Sequence, residues 1–128
     1  MAGQLTPGLT AKVELTVADA DTAQALGSGD VPVLGTPRAV ALAEAATVAA
    51  TTRSLGPGQT TVGVRVELDH KAATPIGRRV VAEARLTKVE GRNLVFDVVV
   101  RDGQTVAAEG RVWRVLLDRQ RFLEKVHE

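Results

Sequence analysis

Outside one segment, apolar and polar residues alternate along most of this chain. Residues 9–17 show a strict period of two, which predicts a half-buried β-strand. The period returns from Thr60 onward in four stretches, with the turn sequences Glu90-Gly91-Arg92-Asn93 and Asp102-Gly103 between the later ones. Their apolar positions are Val62, Val64, Val66 and Leu68, then Val80, Ala82, Ala84 and Leu86, then Leu94, Phe96, Val98 and Val100, with a last strand over residues 104–117. We therefore predict five strands, the last four in an antiparallel meander.

The segment without alternation is residues 36–54, which predicts the longest helix. Thr36 suits an N-cap, Pro37 suits the first helical position, and the Gly-Pro-Gly sequence at 56–58 ends the helix. Between Arg38 and Arg53, Glu44 is the only ionisable side chain. Because a helix that is apolar on every side is a buried helix, we expect the sheet to curl around it and a second subunit to cover the remainder. Shorter helices are predicted over residues 19–26, capped by Asp19, and over 117–126.

These elements predict an α+β fold with one long central helix wrapped by a curved five-stranded antiparallel sheet. At 128 residues, we expect a single domain over residues 1–128. Two Phe, one Trp and no Tyr imply a core of Val and Ala, in which the helix approaches the strands closely.

Charge and composition exclude several classes of function. The net charge of +1 favours neither a nucleic acid nor a membrane surface as a partner. The absence of cysteine excludes disulfides and thiolate metal sites, and two distant histidines offer no cluster of metal ligands, so we expect no metal. The chain shows no signal peptide and no apolar run of membrane-spanning length, so we expect a soluble cytoplasmic protein.

Glu44 and His70 are the candidate reactive residues. A carboxylate in the middle of a buried helix must be paired, protonated or functional, because burying an unpaired charge is costly. By strand parity His70 shares the face of the valines, whereas Asp69 points the other way. We therefore expect His70 to face the helix and to pair with Glu44, as a carboxylate–imidazole couple that moves a proton.

A resemblance to a known family rests on the same residues. Thr36, Glu44 eight residues later, and the segment His70-Lys71-Ala72-Ala73-Thr74-Pro75, which starts 26 residues after Glu44, resemble the fluoroacetyl-CoA thioesterase family of hotdog-fold proteins. The similarity extends over about residues 31–125. It implies the hotdog fold, hydrolysis of an acyl-CoA thioester, and a homodimer or dimer of dimers with its active sites at the subunit interface. It also implies that Thr36, Glu44 and His70 are the catalytic set.

The expected substrate follows from one departure. The fluoroacetyl-specific enzyme carries phenylalanines before the threonine that form an apolar lid, whereas residues 30–35 contain no aromatic side chain here. We therefore expect another short or medium acyl group. Coenzyme A enters as part of the substrate and no separate cofactor is expected. Arg78, Arg79 and Arg92 are the residues we expect to meet its phosphates.

Several questions stay open from the sequence. If Thr36 and Glu44 are both helical, they lie about 12 Å apart along the axis, so either the helix begins later, or the two act from different sides, or a dimer brings together residues of opposite chains. Thr36 is either the nucleophile or the group that holds a water, and amides near residues 37–39 are candidates to bind the carbonyl oxygen. The alternative functions are a non-catalytic dimer that binds acyl-CoA or another small ligand, and an enoyl-CoA hydratase or dehydratase.

Overall fold

Five strands and one long helix form the body of the structure, a computed structural model that describes residues 4–128. The strands are β1 (Thr10–Thr16), β2 (Gln59–His70), β3 (Arg79–Glu90), β4 (Asn93–Asp102) and β5 (Thr105–Asp118). The helices are α1 (Ala23–Leu26), α2 (Thr36–Thr51) and α3 (Arg119–Val126), with 3₁₀ turns at Asp19–Asp21 and Thr52–Ser54. All strand pairs are antiparallel, in the order β1-β3-β4-β5-β2. The predicted long helix and five-stranded antiparallel sheet are therefore confirmed.

The core lies between α2 and one face of the sheet. On the helix, Ala39, Ala43 and Ala46 are completely buried, and on β4 the alternate residues Leu94, Phe96, Val98 and Val100 are buried. Because alanine adds only a methyl group, the helix backbone comes close to the sheet, as the composition suggested. The helix is nevertheless not buried all round. Ala41, Ala45, Val48 and Ala49 are exposed on its opposite side.

Three local predictions were wrong. Gly35 is the N-cap of α2 and Thr36 already lies in the helix, so the Thr36 hydroxyl is free for another role. The short helix α1 is capped by Thr22, whose hydroxyl accepts a hydrogen bond from the Ala25 amide, and not by Asp19. Val64 does not face the core: β2 bulges between Gly63 and Arg65, and this leaves Val64 60% exposed.

Strand β2 forms one edge of the sheet, because within residues 4–128 it pairs only with β5. Edge strands present unpaired backbone groups and are frequent sites of association between chains. None of the helices in the described part of the chain has the length and apolar character needed to cross a bilayer.

Candidate active site

Thr36 and His70 form a direct contact. Thr36 stands at the start of α2 and His70 at the end of β2, and the distance between Thr36 Oγ1 and His70 Nδ1 is 2.8 Å. The segments around them are tied together, because the Leu34 amide donates to the Thr74 carbonyl and Val33 pairs with Pro75. The contact therefore depends on backbone pairing and not on two flexible side chains alone.

The other ring nitrogen of His70 is unpaired. His70 Nε2 is buried and has no hydrogen-bond partner among residues 4–128. If the Thr36 hydroxyl donates to Nδ1, a neutral imidazole carries its proton on Nε2, which is then a buried donor without an acceptor. Such orphaned groups are rare in folded proteins and indicate a missing partner or ligand.

Glu44 belongs to a second cluster. Its Oε2 atom lies 3.2 Å from Nη1 of Arg114. Arg114 also donates from Nε to the Thr61 hydroxyl at 2.9 Å and from Nη2 to the Thr61 carbonyl at 3.0 Å. The Arg114 side chain is 8% exposed and that of Glu44 is 35% exposed. Burial lowers the pKa of the Arg114 guanidinium, and the charge and hydrogen bond of Glu44 oppose this shift.

The absence of a side chain at Gly63 makes room for the Glu44 carboxylate. A Cβ atom placed on Gly63 would overlap with Glu44 Oε2. Glycine at position 63 therefore allows the carboxylate to lie against the strand backbone next to Arg114.

Within one chain the two clusters are separate. Thr36 and Glu44 lie eight residues apart on α2, or about 12 Å along its axis. The prediction that Glu44 pairs with His70 is wrong for the single chain, because Arg114 is the ionic partner of Glu44 and Thr36 is the partner of His70. The amides near residues 37–39 are not free to bind the carbonyl oxygen either, because Pro37 has no N–H and the amides of Arg38 and Ala39 donate to the Gly35 carbonyl.

A pocket of about 280 Å³ adjoins the Thr36–His70 pair. Its walls combine apolar and small residues, among them Val31, Val33 and Ala72. Lys71 also lines it, and a hydrogen bond to Glu109 raises the pKa of that lysine. The pair therefore opens onto a space that can receive a small organic group.

The three arginines expected to meet phosphates are not together. Arg78 lies 3.3 Å from Asp102 and Arg79 lies 3.5 Å from Glu14, both at the end of the sheet where β3 begins. Arg92 lies in the β3–β4 hairpin at the opposite end, where its carbonyl accepts from the Leu116 amide.

Sequence reasoning missed Arg114. Strand parity contains a signal for it, because on β5 Arg114 follows the buried Val112 by two residues and is therefore on the inward face. A cation at an inward position indicates a buried anion nearby, and Glu44 is the carboxylate available on the helix.

The family of this chain is shown by comparison with known proteins. A family model described as fluoroacetyl-CoA-specific thioesterase matches residues 17–120. A fluoroacetyl-CoA thioesterase from Streptantibioticus cattleyicolor is 36% identical over 89 residues, which are 70% of this chain and only 64% of that protein's length. The structure of a variant of the fluoroacetyl-CoA thioesterase FlK in complex with acetyl-CoA superposes with a TM-score of 0.90 at 29% identity, covering 96% of this chain and 97% of the other.

A more distant structure gives the same fold. A thioesterase superfamily member from Thermus thermophilus superposes with a TM-score of 0.88 at 27% identity, over 95% of this chain and 90% of that one. The predicted hotdog fold is therefore confirmed. This chain belongs to the fluoroacetyl-CoA-specific thioesterase family.

Proposed function

We propose that the protein hydrolyses a short or medium acyl-CoA thioester to the free acid and coenzyme A, and that Thr36, Glu44 and His70 are its catalytic residues. The observation that carries the proposal is the 2.8 Å contact between Thr36 Oγ1 and His70 Nδ1 beside a pocket of about 280 Å³. Membership of a thioesterase family and similarity to a structure that contains acetyl-CoA support the substrate class.

The chemistry follows from the pair. His70 accepts a proton through Nδ1, either from the Thr36 hydroxyl or from a water that Thr36 holds. The oxygen attacks the thioester carbonyl, the C–S bond breaks, and the sulfur leaves as the thiol of coenzyme A after it receives the proton. If Thr36 is the nucleophile, a water then hydrolyses the acyl-threonine in a second step, so that both routes consume one water per thioester.

Glu44 joins this site from the partner subunit in our proposal. The buried Nε2 of His70 needs an acceptor, and a carboxylate is the strongest acceptor for an imidazole that becomes protonated. Glu44 of the same chain lies about 12 Å along the helix from Thr36, whereas a homodimer can place Glu44 of the partner subunit close by. The free edge of β2 and the exposed alanines of α2 are suitable surfaces for such a dimer.

The acyl group is a further part of the proposal. Residues 30–35 carry no aromatic side chain, and the pocket is lined in this region by Val31 and Val33. The walls thus offer aliphatic contacts without aromatic rings. We therefore expect turnover of acetyl-CoA and other short or medium acyl-CoAs, without strict selection for fluoroacetyl-CoA.

A panel of acyl-CoAs, assayed by release of the free thiol, tests this function. The wild type should release coenzyme A, whereas Thr36→Ala and His70→Ala should lower kcat by about 100-fold or more because each removes a partner in proton transfer. His127→Ala is the matched control, since His127 is the second histidine and is exposed beyond α3. The proposal is wrong if the wild type turns over none of the panel, or if His70→Ala is as active as His127→Ala.

A further inference from the structure

The apolar side of the last helix, α3, is open to solvent. Phe122, Leu123 and Val126 share this side, because Val126 follows Leu123 by three residues and Phe122 by four. Their exposed fractions are 36%, 45% and 59%, and no residue of α3 is buried. An amphipathic helix normally packs its apolar side against another surface, so this side indicates a partner for α3.

The attachment of α3 places it at the free edge of the sheet. The helix directly follows Asp118, which pairs with Gln59 at the start of β2, and the Arg119 amide donates to the Gly58 carbonyl. Strand β2 is the edge strand at which we propose the dimer. The apolar side of α3 is therefore next to the proposed subunit interface.

A second exposed apolar surface lies at the other end of β2. This strand ends at His70, and the pocket beside His70 is lined in part by residues 23–33, here called the entry segment. Val31 of the entry segment lines the pocket and is 50% exposed, and Leu26 is 43% exposed. Backbone hydrogen bonds join the two ends of the segment, so it forms a defined surface.

The charges of the two surfaces are complementary. The helix α3 contains the cations Arg119, Arg121 and Lys125, against one acid, Glu124. Asp30 is the only ionisable residue of the entry segment. Neither the three cations nor Asp30 form an ion pair among residues 4–128. Opposite charges of this kind favour one orientation between two docking surfaces.

Twofold symmetry would bring the two surfaces together. In the dimer that we propose, two copies of β2 would meet edge to edge around a twofold axis and run antiparallel. The start of β2 in one subunit, where α3 is attached, would then lie beside the end of β2 in the other. The same arrangement would bring Glu44, which lies against Gly63 in the first half of β2, towards His70 of the partner subunit.

We propose that α3 of one subunit docks on the entry segment of the other, and that Phe122, Leu123 and Val126 form an outer wall of the acyl pocket there. The inference rests on the proposed function, and it adds to the pocket a wall that the single chain lacks. Such a wall beyond Val31 would contact the distal carbons of a medium acyl chain, whereas an acetyl group would not reach it.

Cross-linking between different chains tests the docking. The chain has no cysteine of its own, so each introduced thiol is unique. Val31→Cys and Val126→Cys, mixed under conditions of subunit exchange and treated with a short bis-maleimide, should give a covalent heterodimer. Val31→Cys mixed with Thr87→Cys is the matched control and should give none, because Thr87 is also exposed but lies on β3, which two strands separate from the β2 edge.

Three results would overturn the docking: no heterodimer from Val31→Cys and Val126→Cys although labelled subunits exchange, a wild type that is a monomer, or efficient cross-linking of Val126→Cys with itself. The last result would place the two α3 helices together, whereas the proposal places them at opposite ends of the dimer. Cross-linking needs no turnover, so it decides about the docking even if the wild type hydrolyses no thioester and the proposed function fails.

Kinetics with two chain lengths test the wall. Phe122→Ser/Leu123→Ser should lower kcat/KM for hexanoyl-CoA about tenfold and leave that for acetyl-CoA unchanged, because only the longer chain loses apolar contacts. Gln120→Ser/Glu124→Ser alters the polar side of α3 and should change neither value. An unchanged kcat/KM for hexanoyl-CoA, or an equal loss with both substrates at protein concentrations that keep the dimer intact, would overturn the wall.

Discussion

Arg114 is the residue that holds Glu44 in place. Its guanidinium spans the Glu44 carboxylate and both oxygens of Thr61, and it is the most buried arginine among those that form ion pairs in residues 4–128. Two of its nitrogens bond to Thr61, so the guanidinium is fixed in orientation and its Nη1 presents one defined donor to the Glu44 carboxylate. The position of the Glu44 carboxylate therefore depends on a strand residue 70 positions away in sequence.

Replacing Arg114 with leucine should destabilise the protein by about 2–3 kcal/mol. The loss leaves Glu44 and the Thr61 hydroxyl without their partner, and the partial exposure of Glu44 keeps the cost below that of a fully buried charge. Urea unfolding checks the value. Arg111→Ala is the control, because Arg111 is 63% exposed in its pair with Asp97 and should cost less than about 1 kcal/mol. Equal effects of the two substitutions would show that Arg114 has no special role.

Gly63 controls the space for the same carboxylate. In Gly63→Ala the new methyl group collides with Glu44 Oε2, and the flexible carboxylate must move away from Arg114. A displacement of about 1 Å at a catalytic group lowers turnover on the order of 10–100-fold, so kcat should fall by that factor. The unfolding midpoint in urea should change little, because only the end of a side chain moves. Full activity of Gly63→Ala would contradict the role proposed for Glu44.

The candidate site residues that follow a sequence pattern were predictable, whereas a residue that joins the site only through a contact distant in sequence was not. The spacing of Thr36, Glu44 and His70 pointed to a site through the family resemblance, and the parity of β2 correctly placed His70 on the same face as Val66 and Leu68. The partner of Glu44 was missed because it depends on the register of β5 against β2, where Gly63 lies opposite Arg114. No local pattern specifies that register.

At the scale of elements, the close packing of α2 against the sheet depends on the small size of its residues. Ala43 and Ala46 have no exposed surface, and they face the buried residues of the sheet. The helix has almost no polar residue on either side, so sequence alone did not tell which side faces the sheet.

Ala46→Leu should destabilise the fold by about 1–3 kcal/mol, because a tightly packed site has no room for three further carbon atoms. Helix propensity does not confound the result, since alanine and leucine are both strong helix formers. Thermal and urea unfolding measure the change. An unchanged free energy of unfolding would mean that the helix can move away from the sheet without losing stabilising contacts, and it would contradict this prediction.

Strand β2 shows why the strand pattern was only partly reliable. The alternation of Val62, Val64, Val66 and Leu68 predicted one continuous apolar face, yet the bulge adds one residue and turns Val64 outward. Beyond the bulge, the prediction holds for Val66, Leu68 and His70. The bulge lies beside the Glu44 cluster, because Gly63, which leaves space for the Glu44 carboxylate, directly precedes the outward-facing Val64.

At the scale of the whole molecule, one chain carries two separate clusters, which we propose to be the two halves of a shared site. The Thr36–His70 pair lacks an acceptor for Nε2, and Glu44 lies about two helical turns from Thr36. In the twofold-symmetric dimer that we propose, each half-site would meet the complementary half of the other chain, and two equivalent active sites would result. Composition and alternation predicted the fold. They did not show whether Glu44 and the Thr36–His70 pair belong to the same chain or to opposite chains of a site, because the spacing along the sequence is the same in both cases.

Mixing inactive variants tests this account most directly. Glu44→Ala and His70→Ala should each be inactive alone, but a mixed dimer should have one site with both residues intact. Subunit exchange between equal amounts should therefore restore about a quarter of the wild-type turnover of an acyl-CoA, since half of the dimers are mixed and each has one working site. Thr36→Ala mixed with His70→Ala should stay inactive, because Thr36 and His70 contact each other within one chain, so every site would lack one of the two. Recovery in the first mixture and not in the second is the predicted result, and no recovery in the first mixture under conditions of proven exchange would contradict the shared site.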